Sequence, residues 1–213
     1  MGRDSKKSIK QWRQMASGIY FPEEIDYLEH SIWAEKAQMV GFLSIYSYPG
    51  TDRSQAVALD LGHNLIVDLG REAMARLQRD TVDGGIYHGL MDLGYLALGN
   101  GSNNGASVPN NATTALFSET TGDPAMTPPC ARKVLSVTTP PPGPPYITNL
   151  WSAQIGPTEF NDTTNSAFGR PFNEINEAGM YCLDTTTLYD MRSFANQYKS
   201  SGITFEFRFS IIW

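Results

Sequence analysis

The clearest pattern in the chain is the alternation of apolar and polar residues near its end, over residues 203–213. Phe205, Phe207 and Phe209 alternate there with polar side chains. Side chains of a strand point to opposite faces in turn, so this segment predicts a strand with one buried face. Apolar segments bounded by turn residues predict further strands at 41–48 (strand or extended chain), 95–98, 132–138, 146–155, 178–183 and 188–195.

One segment, residues 63–80, has helical spacing instead, because Leu65, Leu69 and Ala73 fall on one face. Gly70 inside this helix costs up to about 1 kcal/mol relative to alanine, so it predicts close packing of the helix against a sheet. Together the patterns predict a mainly β protein. Its expected architecture is an antiparallel, β-sandwich-like domain at 51–213 with one packed α-helix, preceded by an extended N-terminal arm at 1–50.

The predicted arm has a basic beginning, an acidic cluster and then a run of large apolar residues. Residues 22–39 are loosely helical in spacing, which predicts a short helix within it. We expect the arm to bind a neighbouring subunit, because interface energy concentrates in a few large side chains. Its candidate interface residues are Trp33, Phe42, Ile45 and Tyr46. The alternative is an arm that folds back onto its own domain as an extra layer.

Residues 134–158 contain no charged side chain. The run includes a proline-rich segment at 140–145, which predicts a stiff, extended loop because proline restricts φ and lacks an N–H donor. An exposed, uncharged β surface invites edge-to-edge pairing unless a partner covers it. We therefore expect shielding in an assembly, with Trp151 as a fifth candidate interface residue. Solvation by Thr, Ser and Asn alone is the alternative.

Composition and charge narrow the classes of function. Sixteen Lys and Arg against twenty-two Asp and Glu give a net charge of −6, which opposes direct binding of nucleic acid. The chain lacks both the roughly 20 apolar residues of a membrane span and the apolar part of a signal peptide, so we expect a soluble, unexported protein without membrane contact. Cys130 and Cys182 lie far apart, which favours two free thiols and leaves one long-range disulfide as the alternative.

Motifs that would carry chemistry are weak in this sequence. Gly99, Gly101 and Gly105 depart from the dinucleotide fingerprint, because Asn104 stands where a glycine is required, and a turn-rich loop is the better interpretation. The three histidines lie in separate segments and form no metal-binding motif. Five aromatic residues offer a sugar-stacking platform as an alternative, although strand aromatics more often fill a core: Trp151, Phe160, Phe168, Phe172 and Tyr181. We predict a protein that is not an enzyme, with no catalytic residue, cofactor or metal.

A resemblance to a known family begins at residues 64–75, Asn-Leu-Ile-Val-Asp-Leu-Gly-Arg-Glu-Ala-Met-Ala. It continues at 95–101, Tyr-Leu-Ala-Leu-Gly-Asn-Gly, and at 113–119, Thr-Thr-Ala-Leu-Phe-Ser-Glu. It returns at 173–181, Asn-Glu-Ile-Asn-Glu-Ala-Gly-Met-Tyr, and in the last strand. These segments resemble a family of tailed-bacteriophage virion proteins found among tail and fibre-associated components. The shared motifs are structural rather than catalytic, and they leave out the N-terminal arm and the proline-rich loop.

This resemblance implies a non-enzymatic structural subunit of a tailed-phage virion, assembled in the host cytoplasm and placed in the tail, baseplate, neck or fibre-attachment region. The implied partners are other virion structural proteins and further copies of the chain, in a homo-oligomer. Two alternatives stay open: a capsid decoration (cement) protein, and a receptor module of the tail that binds a glycan of the host surface. Copy number separates the locations, because about six copies or a small multiple indicates the tail axis and hundreds indicate the head.

Overall fold

The computed structural model describes residues 19–25, 40–83, 93–139, 147–167 and 169–212. Nine strands lie in these ranges: β1 (Val40–Pro49), β2 (Val57–Ile66), β3 (Leu93–Gly99), β4 (Lys133–Val134), β5 (Ser136–Thr138), β6 (Ile147–Ile155), β7 (Glu174–Cys182), β8 (Leu188–Tyr198) and β9 (Ile203–Ile212). One α-helix, α1 (Asp68–Asp83), and a 3-10 turn at Arg53–Gln55 accompany them.

The strands form a single antiparallel sheet in the order β4-β3-β7-β8-β2-β1-β9-β6-β5. The chain from β4 to β5 pairs first with β3 and then with β6, which lie towards opposite ends of that order. Leu135 between them is buried, and its N–H donates to the carbonyl oxygen of Gly94 with an N–O distance of 2.9 Å. The sheet therefore nearly closes on itself, and the predicted mainly β, antiparallel fold is confirmed.

The main hydrophobic core fills the inside of this nearly closed sheet. Its members include Leu43, Ile45, Leu96, Leu98, Trp151, Ile155, Met180, Phe205, Phe207 and Phe209. Residues that alternate with these along the strands, such as Ala97 and Tyr181, form a second apolar cluster with Val67 and Leu116 on the opposite face. The phenylalanines of the terminal strand thus point into the core, as the alternation predicted.

Helix α1 packs against β8. It begins at Asp68, five residues later than predicted, because residues 63–66 are the end of β2. A Cβ atom on Gly70 would collide with the backbone carbonyl of Tyr189, so only glycine allows this approach. Close packing of the helix at Gly70 is therefore confirmed.

Strand β1 corrects the predicted boundary between arm and domain. Residues 40–49 pair with β9 on one side and with β2 on the other, which places them inside the sheet. Three of the candidate interface residues, Phe42, Ile45 and Tyr46, are buried by their own chain. Trp151 is buried in the main core as well. All four side chains are therefore buried within their own chain, because the sheet needs them to form its own interior and outer faces. Trp33 lies outside the described residues.

The outer face of β9 is also buried, although its polar side chains predicted solvent exposure. Glu206 and Arg208 are only 2% and 3% exposed. The cover comes from residues 19–25, which contact this face from a position before β1 in the sequence. This face of the sheet is therefore both polar and buried.

Candidate interaction surfaces

Residues 19–25, which we call the docked segment, contain one helical turn at 22–25. The N–H of Ile25 donates to the carbonyl oxygen of Phe21 at 3.1 Å, and the Glu24 carboxylate accepts the N–H of Phe21 at 2.9 Å. A glutamate that reaches back to the residue before the helix is half of a capping box. Pro22 fits the first helical position, where an N–H would have no helical partner. The local sequence thus favours this compact shape.

The docked segment is held by a buried ion pair between Glu24 and Arg208 of β9. The Nε of Arg208 donates to the two carboxylate oxygens of Glu24 at 2.9 and 3.1 Å, and the Ser44 hydroxyl donates to the same carboxylate. The guanidinium also donates to the Ile19 carbonyl at 2.6 Å and to Glu206 at 2.9 Å. A buried ion pair is tolerated only when such additional hydrogen bonds offset its desolvation.

Aromatic rings pack around this ion pair. The ring of Phe21 lies against the ring of Tyr46, with 4.0 Å between their centroids. The guanidinium carbon of Arg53 lies 4.9 Å from the centroid of Phe21, a cation–π distance. Burial raises the pKa of the Tyr46 and Tyr20 phenols, so both stay neutral at physiological pH. The docked segment therefore contributes both charge and apolar cover to the face.

Sequence reasoning missed this arrangement. Alternation in the last strand predicted that Arg208 faces solvent, and Glu24 was part of an acidic cluster in the predicted arm. The only local signal is the opposite charge of Glu206 and Arg208 on one face of a strand, and it does not identify a partner 184 residues away.

The second surface is the edge strand β5, which we call the β5 edge. All three residues of β5 are exposed, including Val137 (55%), and so is the side chain of Val134 (70%) in the neighbouring β4. β5 pairs with β6 on one side, and within the described ranges no strand pairs with its other side. An edge of this kind presents unpaired backbone groups to another chain.

A buried carboxylate, Glu177, anchors the long loop between β3 and β4. It accepts the backbone N–H groups of Gly101, Phe117 and Ser118 at 3.1, 2.9 and 2.7 Å. Burial raises the pKa of Glu177, and these three donors oppose that effect. Residues 101–106 form turns, as the Gly and Asn residues predicted. Because backbone donors occupy its oxygens, Glu177 is a structural group.

A second interior carboxyl belongs to Asp190 of β8, which is fully buried. The side-chain amide of Asn64 donates to Oδ2 of Asp190, whereas Oδ1 has no hydrogen-bond partner among the described residues. Burial raises the pKa of Asp190 well above its usual range, so we infer a neutral carboxyl. A cleft of about 340 Å³ reaches Asn64 between His63 and Arg192, and Asp60 lies 2.7 Å from the Arg192 guanidinium.

The buried state of Asp190 predicts a pH dependence of stability. The folded state keeps the proton of Asp190, whereas the unfolded chain releases it above about pH 4. The unfolded state then binds fewer protons, so the free energy of unfolding falls as pH rises, by up to about 1.4 kcal/mol per pH unit until the folded-state pKa is reached. We therefore expect the difference in free energy of unfolding, Asp190→Asn minus wild type, to increase as the pH is raised from 4 to 8. Urea unfolding at several pH values measures this difference.

Asp184→Asn is a control with the opposite sign. Burial alone would raise the pKa of Asp184, but hydrogen bonds from Thr187 and Thr186 lower it. Its carboxylate therefore stabilises the fold above the unfolded-state pKa, and this contribution is lost as pH falls. Asp184→Asn should cost most at neutral pH. A difference between Asp190→Asn and wild type that does not change with pH would contradict a neutral Asp190.

The aromatic residues considered for sugar stacking lie in the protein interior. Four of them are 8% exposed or less: Trp151, Phe160, Phe172 and Tyr181. Phe168 lies outside the described residues. A concave platform needs exposed ring faces, so these four side chains do not form one.

The other groups with reactive potential are also accounted for. Cys130 and Cys182 are both buried and neither is in a disulfide, which agrees with the favoured interpretation of two thiols. In the part of the chain that the structure describes, no group of three or more His, Cys, Asp or Glu side chains is placed to hold a metal ion. Nor does any helix of that part have the length and apolar character needed to span a membrane.

Comparison with known proteins adds no family to this picture, since no family model, curated protein or solved structure matches the chain. The resemblance to phage virion proteins therefore stays a prediction from sequence segments.

Proposed function

We propose that this protein is a non-enzymatic structural subunit that assembles with further copies of itself and with other structural proteins. The observation that carries the proposal is the β5 edge, an exposed strand at the end of the sheet. Monomeric proteins usually guard such edges with charged residues or a covering element. The sequence around β5 and β6 carries no charge from residue 134 to 158, which suits an edge covered by a partner.

The sequence resemblance supports a tailed-phage virion as the place of this assembly, in the tail, baseplate, neck or fibre-attachment region. Capsid decoration is the nearest alternative. Quantifying the chain in purified particles separates the two, because about six copies or a small multiple fits a tail position and hundreds fit the head. The glycan-binding alternative has less support, because the described aromatic side chains proposed for sugar stacking are buried.

We expect Val137→Lys to weaken self-association of the full chain at least about tenfold in dissociation constant, or about 1.4 kcal/mol. Val137 lies in the middle of β5 and is 55% exposed. A lysine there would have to lose water when a second chain covers the edge, and edge lysines are a common guard against pairing. Sedimentation velocity over a concentration series measures the change.

Val108→Lys is the matched control, because Val108 is also exposed (74%) but lies in the loop between β3 and β4 rather than at a strand edge. This variant should associate as wild type does. Equal weakening by both lysines would show an effect of added charge rather than of the edge. A folded wild-type protein that stays monomeric at about 0.1 mM would count against the proposal.

A further inference from the structure

We propose that the docked segment is exchanged between copies of this chain: the outer face of β1 and β9 accepts residues 19–25 of a second copy in the same way as its own. The proposal goes beyond the assembly through the β5 edge, because it rests on different residues and a different face of the sheet.

The accepting face is built by the strands themselves. Ser44 of β1 lies opposite Arg208 of β9 in the strand register, so the two groups that bind Glu24 are already adjacent. Glu206 accepts hydrogen bonds from Tyr48 at 2.9 Å and from Arg53 at 3.0 Å, in addition to Arg208. Arg208 therefore keeps a carboxylate partner when the docked segment leaves, and the polar face can be hydrated.

The contacts that hold the docked segment lie on one side of the sheet. Tyr20 and Ile25 are 4% exposed, yet they belong to neither of the two apolar clusters described above. The segment's ion pair and ring contacts are made with Arg208, Tyr46 and Arg53, all on one side of the sheet. The segment thus contacts the domain in the manner of a bound peptide.

The occupant that fits this face has a defined chemistry. It needs a carboxylate at the position of Glu24, which accepts from Nε of Arg208, and a backbone carbonyl that accepts from Nη2 of the same guanidinium. It also needs an aromatic ring that packs against Tyr46. Residues 19–25 of any copy carry all three groups at the required spacing. A second copy of this chain is therefore the natural donor.

The connection between segment and domain is long enough for exchange. Fourteen residues, 26–39, separate the docked segment from β1. An extended chain covers about 3.3–3.6 Å per residue, so the largest reach is about 50 Å, more than the diameter of a domain of this size. Docking within one chain has an effective concentration in the millimolar range, and a neighbour held at a similar local concentration competes with it.

Exchange would link copies without any contact beyond those already present in one chain, as in domain swapping. Each copy donates residues 19–25 and accepts the same residues on β1 and β9. Tyr46 then becomes an interface residue after all, as part of the accepting face rather than as an anchor on an arm. The basic residues before the segment play no part in the proposal.

Photo-cross-linking in the full chain tests the exchange. p-Benzoylphenylalanine is introduced at Pro22, an exposed position of the docked segment, and the protein is mixed with an equal amount of unmodified chain labelled with nitrogen-15. The mixture is irradiated at about 10 µM and at about 1 mM, and cross-linked peptides are identified by mass spectrometry. We expect the share of light–heavy cross-links onto β1 and β9 to rise at least about tenfold between the two concentrations.

Two neighbouring glutamates supply the matched variants. Glu24→Arg removes the buried carboxylate and should abolish cross-links to β1 and β9 from either chain. Glu23→Arg changes the adjacent, exposed carboxylate and should leave them unchanged. Light–light cross-links alone at both concentrations would overturn the exchange, and so would light–heavy cross-links that map outside β1 and β9.

Two further outcomes are decisive. If Glu24→Arg loses cooperative unfolding, the docked segment is part of the folding unit and the proposal is wrong.

Val137→Lys, which leaves the docked segment untouched, should show the same cross-links as wild type at about 1 mM. Failure of assembly through the β5 edge can therefore be told apart from failure of the exchange.

Discussion

A chain that begins at Thr51 is expected to lose cooperative folding altogether. The deletion removes β1, which pairs with both β2 and β9, and it takes Leu43 and Ile45 out of the main core. Each buried side chain of this size contributes about 1.5–3 kcal/mol, and the two strand ladders add to the loss. Total domain stability is only about 5–15 kcal/mol, so the truncated chain should show no cooperative transition in urea or on heating.

A chain that begins at Val40 is the control for this truncation. It keeps β1 and the whole sheet but lacks the docked segment, so we expect a cooperative transition at a lower urea concentration than in the full chain. A folded, cooperative protein from the chain that begins at Thr51 would instead support the boundary at residue 50 predicted from the sequence. Failure of both truncations to fold would indicate that residues before β1 are needed for folding, which would count against a domain that folds without the docked segment.

Phe207→Asp is expected to be the most destabilising single substitution among those discussed, with a cost of several kcal/mol. Phe207 is fully buried and lies opposite Ile45 and Ala153 in the strand register. Removing a buried phenylalanine alone costs about 3–5 kcal/mol, and the new carboxylate would lie in an apolar interior without a partner. Urea unfolding should show a protein that is unfolded or close to it without denaturant.

The matched control is Val108→Asp, because Val108 is apolar but 74% exposed. Exposed substitutions of this kind change stability by about 0.5 kcal/mol or less. A Phe207→Asp protein that melts within a few degrees of wild type would mean that the inward face of β9 has been assigned to the wrong residues.

Local patterns predicted the elements of this fold well where one face of a strand or helix dominates. The alternation around Phe207 predicted β9 and its inward side chains, and Gly70 predicted the close approach of α1 to a sheet. The beginning of α1 was misplaced because the apolar residues at 63–66 suit both a helix and the end of β2. Period alone does not separate the two when a strand runs almost directly into a helix.

The interaction surfaces were predictable to different degrees. The uncharged run that includes Val137 indicates an unguarded strand edge from the sequence alone, because the absence of charge is a property of the residues themselves. The accepting face for residues 19–25 could not be predicted. Glu24, Ser44 and Arg208 come from three separate parts of the chain, and each alone is typical of a solvated position.

Apart from β2, which local patterns did not predict, the sequence by itself determined the main strands, the helix and the absence of charge over residues 134–158. These properties depend on near neighbours, whose spacing along the chain sets which side chains share a face. Only the tertiary structure decided that β1 lies between β2 and β9, and that Arg208 is covered by Glu24. The pairing of β1 with β9 and the contact of Arg208 with Glu24 join residues more than a hundred positions apart, and no local period carries that information.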